Sequence, residues 1–226
     1  MTTKARARSR LAAVLALGTT TVAATAAFAQ TPTPAPAPAP ASGQAQVRIS
    51  ARQHVLMGRA VPVHGVLTPG QAGRAVAVQA SGGHGWKTVA RAKTRAQGRF
   101  QAKWRPKVDR QYRVRAVVTG PNGGTGTLRG GVSVYRPAAA SWYGPGLMGQ
   151  HLACGGTLDG GVVGVANKTM PCGSRVRLRY RGHTVLARVV DRGPYVAGRD
   201  FDLTPATKQK LGFGSTGTVW ASRAGK

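Results

Sequence analysis

Glutamate is absent from this sequence, and the only carboxylates are five aspartates against 33 lysine and arginine residues. They are Asp109, Asp159, Asp191, Asp200 and Asp202. Any acid or base chemistry that needs a carboxyl must therefore fall to an aspartate. Cysteine is nearly as scarce, with Cys154 and Cys172 alone. Two thiols without companion His or Cys at ligand spacing argue against a zinc centre, and no spacing joins His54, His64 and His84 into a metal set, so no metal and no cofactor is expected. Long apolar runs are missing too: the uncharged, partly apolar stretch at residues 11–29 only approaches membrane length,. The 32 glycines and 14 prolines speak against long helices and for turns and short strands,.

What the chain does have is positive charge, +28 over 226 residues. Such a surface concentrates polyanions. Nucleic acid is the usual partner for this balance, but the first residues argue against it. Lys4, Arg6, Arg8 and Arg10 form a basic segment, Leu11–Leu17 begins an apolar one, and Ala27-Phe28-Ala29 is a small-residue cleavage site. Residues 1–29 thus read as a secretory signal, with a mature start near Gln30. The alternative is an uncleaved anchor. No cysteine lies near the cleavage site to carry a lipid. The expectation is a secreted, extracellular or wall-associated protein with no stable membrane insertion after cleavage and no nucleic-acid partner. In that compartment an even cysteine count favours a Cys154–Cys172 disulfide over two buried thiols.

Four further segments follow the leader. Residues 30–46 alternate Pro and Ala and form an extended linker,. Residues 47–136 carry seven short runs of alternating apolar and polar residues, around 47–49, 61–66, 75–79, 86–90, 98–104, 112–118 and 132–135, with turn residues between. This spacing predicts an Ig-like or fibronectin-like β-sandwich. Its rings, Trp86, Phe100, Trp104 and Tyr112, fit a core better than a ligand platform. Residues 137–140 read as a second short linker. Residues 140–224 differ in character, holding four of the five aspartates and both cysteines. There a hairpin over 176–190 turns at Arg181-Gly182-His183. Thr204 is a natural N-cap and Pro205 a natural first helical residue, so a short helix runs to Leu211 and stops at Gly212.

The order of motifs in this last segment is distinctive. It begins Ala140-Ser141-Trp142-Tyr143-Gly144 and continues with Thr169-Met170-Pro171-Cys172-Gly173-Ser174-Arg175-Val176. Then come Asp191-Arg192-Gly193-Pro194-Tyr195 and Asp202-Leu203-Thr204. The series resembles the RlpA-like double-psi β-barrel family over residues 140–222, and more distantly the expansin barrel. The fold class implied for the whole chain is all-β, a sandwich followed by a six-stranded double-psi barrel.

The resemblance implies a partner and a chemistry. RlpA-type proteins bind peptidoglycan, and some are lytic transglycosylases that leave a 1,6-anhydromuramic end. One carboxyl can protonate the leaving oxygen and then accept the proton of the sugar 6-hydroxyl. The family's aspartate falls on Asp191 and the expansin-type aspartate on Asp202, the two candidate catalytic residues. Ser141, Tyr143 and Tyr195 are candidate glycan-binding residues, with Trp142 beside them. The chain departs from the enzymes at Gly156, where the family has glutamate, and at Asn167, where it has histidine. These departures favour a second reading, a non-catalytic expansin-like protein that binds peptidoglycan strands or another anionic wall polymer. A third, a cationic envelope adhesin, uses charge alone. Asp191 has a structural alternative as a cap for its own Gly-Pro turn, and Asp202 as an acceptor at the helix N-terminus. Asp200 is expected as an exposed turn residue, His183 as a turn residue at a hairpin tip, and Asp159 as an Asx turn before Gly160-Gly161.

Overall fold

Period-two alternation sets the strands of the first module. In the computed structural model of the chain, which describes residues 45–224, nine strands lead to Trp142. They are β1 (Gln46–Ala51), β2 (His54–Leu56), β3 (Val61–Thr68), β4 (Ala75–Ser81), β5 (Lys87–Lys93), β6 (Arg99–Trp104), β7 (Gln111–Val118), β8 (Gly124–Thr127) and β9 (Val132–Trp142). The expected signal segment and Pro-Ala linker lie outside the described residues. In β6, Phe100, Ala102 and Trp104 are buried while Arg99, Gln101 and Lys103 are exposed; β3, β4 and β7 bury valines in the same way.

One sheet runs β1-β3-β6, and β5-β4-β7 continues into β9, with β8 on β7 and β2 on β9. Valines of both sheets share the core, among them Val61 and Val63 with Val78, Val114 and Val134. Gly65 is required by close approach, because a Cβ there would run into the Phe100 ring from the facing strand. The sandwich is as expected, with two additions. Strands β2 and β8 are three and four residues long. The latter reads Gly-Thr-Gly-Thr, too short and glycine-rich to signal a strand unless β7 is beside it.

The expected linker at 137–140 is instead continuous strand. Before Pro137, β9 pairs with β2 and β7; from Arg136 onward it pairs with β14 (Gly217–Ala224) and then β13 (Phe201–Leu203). Pro137 lacks an N–H, and it sits where the strand changes partners, a position that tolerates the missing donor. The two modules therefore share one strand.

The second module adds β10 (Gly164–Ala166), β11 (Arg175–Tyr180), β12 (His183–Asp191) and α1 (Pro205–Leu211). Six strands close on themselves in the order β13-β10-β12-β11-β14-β9, with β9 returning to β13. The β10–β12 and β9–β13 pairs are parallel and the others antiparallel. Val165, Leu178, Ala187, Val189, Phe201 and Val219 fill the interior. Helix α1 obeys its sequence signals: Thr204 caps it by accepting from the Thr207 N–H, and Gly212 ends it in the left-handed region. No helix among the described residues is long and apolar enough to cross a membrane.

Candidate functional site

Strand register assembles the site. Ser141 on β9 lies opposite Asp202 on β13, Asp202 opposite Ala166 on β10, and Ala166 opposite Asp191 at the end of β12. The two aspartates thus stand in one row, on either side of β10. Two strand spacings, roughly 10 Å, separate their backbones.

Asp191 is held by three donors. Its Oδ2 accepts from the Tyr143 hydroxyl at 2.7 Å, and its Oδ1 accepts from the N–H groups of Ala153 and Arg192, each at 2.8 Å. The Arg192 amide belongs to the Gly-Pro turn, so the capping role foreseen for Asp191 is present, joined by a phenol and a remote amide. Tyr143 is buried, and its own N–H donates to the Leu203 carbonyl at 2.9 Å. Burial first, then the hydrogen bond and charge of Asp191 and the charge of Asp202, push its hydroxyl well above the ordinary tyrosine value. Tyr143 is therefore a permanent donor to Asp191 at any physiological pH.

Asp202 accepts from the Ser141 hydroxyl, and Arg199 Nη1 donates to that Ser141 Oγ at 2.9 Å. A short chain thus runs from Arg199 through Ser141 to Asp202. At the helix N-terminus, where Asp202 is an expected acceptor, Thr204 accepts from the Thr207 amide instead.

The loops beside the row are pinned. Cys154 and Cys172 form the expected disulfide, with Cα atoms 5.5 Å apart across a separation of 18 residues. It anchors the loop that presents the Ala153 amide. Arg192 ties the other side, its Nη1 donating to the carbonyls of Asn167 and Met170 at 3.1 and 2.8 Å. Asn167 is a turn-former: its side-chain oxygen accepts from the amides of Thr169 and Met170, and its nitrogen donates to the Asp200 carbonyl. Gly156 has φ +80° and would point a Cβ into open space.

Other predicted residues are placed differently. Tyr195 stands 84% exposed and takes no part in the Asp191 hydrogen bonds. Trp142 is partly buried with the Lys208 ammonium 4.4 Å from its ring centroid. Asp200 is not a free turn residue. It pairs with Arg136 at 2.9 Å and accepts from the Ala139 N–H at 2.9 Å, pinning β9. Asp159 forms its Asx turn with the Gly161 amide at 2.7 Å. Sequence reading missed Arg199 and the Ala153 amide. Neither carries a local signal, because their partners lie 58 and 38 residues away.

A closed, mixed six-stranded barrel carrying this aspartate row defines a double-psi β-barrel. Residues 137–221 match the family model described as lytic transglycolase, and the C-terminal domain is an RlpA-like domain. It is 44% identical over 82 residues to the endolytic peptidoglycan transglycosylase RlpA of Pseudomonas aeruginosa, covering 35% of this chain and 24% of that protein. It is 38% identical over 80 residues to the probable endolytic peptidoglycan transglycosylase RlpA of Synechocystis, covering 34% and 25%. The chain thus spans about a quarter of the length of these curated relatives. Among solved structures, the Streptomyces papain inhibitor is 21% identical with a TM-score of 0.34, covering 40% of this chain and 94% of that one.

Proposed function

We propose that this chain is a secreted wall protein that binds peptidoglycan glycan strands at the Asp191 row and cleaves them by lytic transglycosylation. The observation that carries the reading is the Asp191 carboxylate, set at the end of β12 in an RlpA-like barrel and oriented by Tyr143 and two backbone amides. The relatives named for this activity support the substrate class, and the disulfide suits an oxidising compartment,.

In the proposed step the protonated Asp191 carboxyl gives its proton to the glycosidic oxygen. The bond from C1 of the N-acetylmuramic residue to that oxygen breaks. The 6-hydroxyl of the same sugar closes onto C1, and the Asp191 carboxylate takes its proton. No water is consumed, and the carboxyl ends as it began. Ser141 and Asp202 hold the sugar on the neighbouring strands, and Tyr195 offers an exposed ring to a pyranose face.

Gly156 and Asn167 favour a second reading, in which the same groove binds glycan without cutting it. One experiment separates the two. Wild type and Asp191→Asn are incubated with glycan strands lacking stem peptides, and mass spectrometry looks for 1,6-anhydromuramic ends. The expected result is such ends from wild type only. If neither protein makes them, yet wild type sediments with sacculi in high salt, the barrel is a binder. Binding that vanishes in high salt would mean charge alone.

A further inference from the structure

We propose that an arginine-lined cleft at the junction of sandwich and barrel is a second binding site, for a phosphodiester-linked polymer of the cell envelope. Two cavities, of about 480 Å³ and about 820 Å³, meet there. Arg175, Arg223 and Ala224 line both, which makes the two cavities neighbours. Arg110, Arg113 and Arg177 line the sandwich end and Arg188 the barrel end. None of these residues belongs to the Asp191 row.

Register explains the convergence. Arg175 and Arg177 alternate with the buried Val176 and Leu178 on β11 and so face outward together. Arg188 on β12 stands directly across from Arg175. Arg223 on β14 is bridged to Arg110, just before β7. Guanidinium groups of the cleft are held in place, that of Arg113 over the Trp86 ring at 5.2 Å from its centroid. Arg177 Nη1 donates to Gln111 Oε1 at 2.9 Å and to Ser133 Oγ at 3.3 Å, and Arg110 Nη1 donates to the Gly82 carbonyl at 3.3 Å.

Among the described residues, no carboxylate lines the cleft. Asp109 borders the cleft, its carbonyl accepting from the Arg223 N–H at 3.2 Å, but its carboxylate faces Arg136 at 3.8 Å; Asp200 also pairs with Arg136, Asp159 sits in its own turn, and Asp191 and Asp202 stand in the barrel row. Like charges crowded in a cleft repel, and a bound polyanion relieves that repulsion.

The residue types narrow the ligand. Among the described residues, the cationic lining is arginine without lysine, and the planar guanidinium matches the paired oxygens of phosphate. Several in a row fit a chain whose charges repeat. Between them the lining is aliphatic, Leu186 at one end and Met170 with Pro171 at the other. Among the described residues no aromatic ring lines the cleft itself, and the Trp86 ring beside it is occupied by the guanidinium groups of Arg113 and Arg115 rather than open to stack on bases, as single-stranded nucleic acid requires,. A polyol or sugar chain between phosphates is what it fits.

The test measures binding of a fluorescent poly(glycerol phosphate) oligomer to the full chain by anisotropy. Arg188→Gln/Arg223→Gln is compared with Arg59→Gln/Arg95→Gln, which removes the same charge from exposed sites outside the cleft. The cleft pair is expected to weaken binding about tenfold or more, the scale of losing charge-assisted contacts. The outside pair is expected to change it less than about twofold. Arg113→Gln, on an exposed residue, gives the same reading if the cleft pair fails to fold. Equal weakening by both pairs would make the attraction diffuse and overturn the site. So would absence of binding by wild type, tighter binding of a single-stranded DNA oligomer of equal charge, or equal affinity for polygalacturonate. The probe carries no glycan, so none of these outcomes bears on cleavage at Asp191.

Discussion

Asp191 shows how little of a side chain's role is its own. Its carboxylate is aimed by a phenol just after β9, the amide of the residue before the disulfide-bonded Cys154, and the amide of its own turn. Replacing Tyr143 by Phe removes the first donor and leaves the buried ring in place. Hydrogen bonds to a charged group contribute about 1.5–3 kcal/mol, so Tyr143→Phe is expected to lower unfolding stability by about that amount, measured by urea titration. The barrel should keep its fold. A glycan-binding assay on the same variant should weaken in step if the aim of Asp191 matters to the ligand. An unchanged urea midpoint would mean that water replaces the phenol without loss.

Helix α1 carries its start and stop in its sequence, but its anchor is tertiary. Thr204 is fully buried. Its hydroxyl donates to the Val162 carbonyl at 2.6 Å and its oxygen accepts from the amides of Gly164 and Thr207. One side chain thus caps the helix and fastens it to the start of β10. Loss of an N-cap alone costs about 1 kcal/mol, and the half-buried Val162 carbonyl left without a donor costs a further 1–3 kcal/mol or so,. Thr204→Ala should therefore destabilise by about 2–4 kcal/mol in chemical denaturation, more than capping explains. Thr204→Ser, which keeps the hydroxyl, should recover most of it.

The molecule as a whole is joined by β9 and by a polar seam between its modules. His54 Nδ1 lies 2.8 Å from the Tyr135 hydroxyl, the Tyr135 ring packs against Trp220 of β14, and Arg177 of β11 reaches Gln111 and Ser133. Burial first, then the charges of Arg179 and Arg177, lower the His54 pKa from its ordinary 6.5. Between that lowered value and 6.5 the folded protein holds fewer protons than the unfolded chain. Stability should therefore fall as pH drops through the window and be unaffected by His54 above it. His54→Gln should flatten this part of the Tm-against-pH profile. A profile that stays equally steep in the variant would place the acid sensitivity elsewhere.

Local order along the chain was enough for much of the architecture. Alternating valines marked the sandwich strands, and Thr204-Pro205 and Gly212 bounded the helix. The motifs from Ala140 to Thr204 identified the barrel and pointed to Asp191 and Asp202. These are patterns of neighbouring residues, set by side-chain period, capping and turn chemistry. Sequence could not show that residues 137–140 continue a strand, since Pro and Ala mark a linker until β14 and β13 lie beside them. Nor could it show that Asp200 is pinned by Arg136, that Arg199 reaches Ser141, or that arginines of β11, β12 and β14 gather against Arg110. Each depends on residues tens of positions apart meeting through strand register, and register is decided only when the barrel closes and both faces of its strands find their partners.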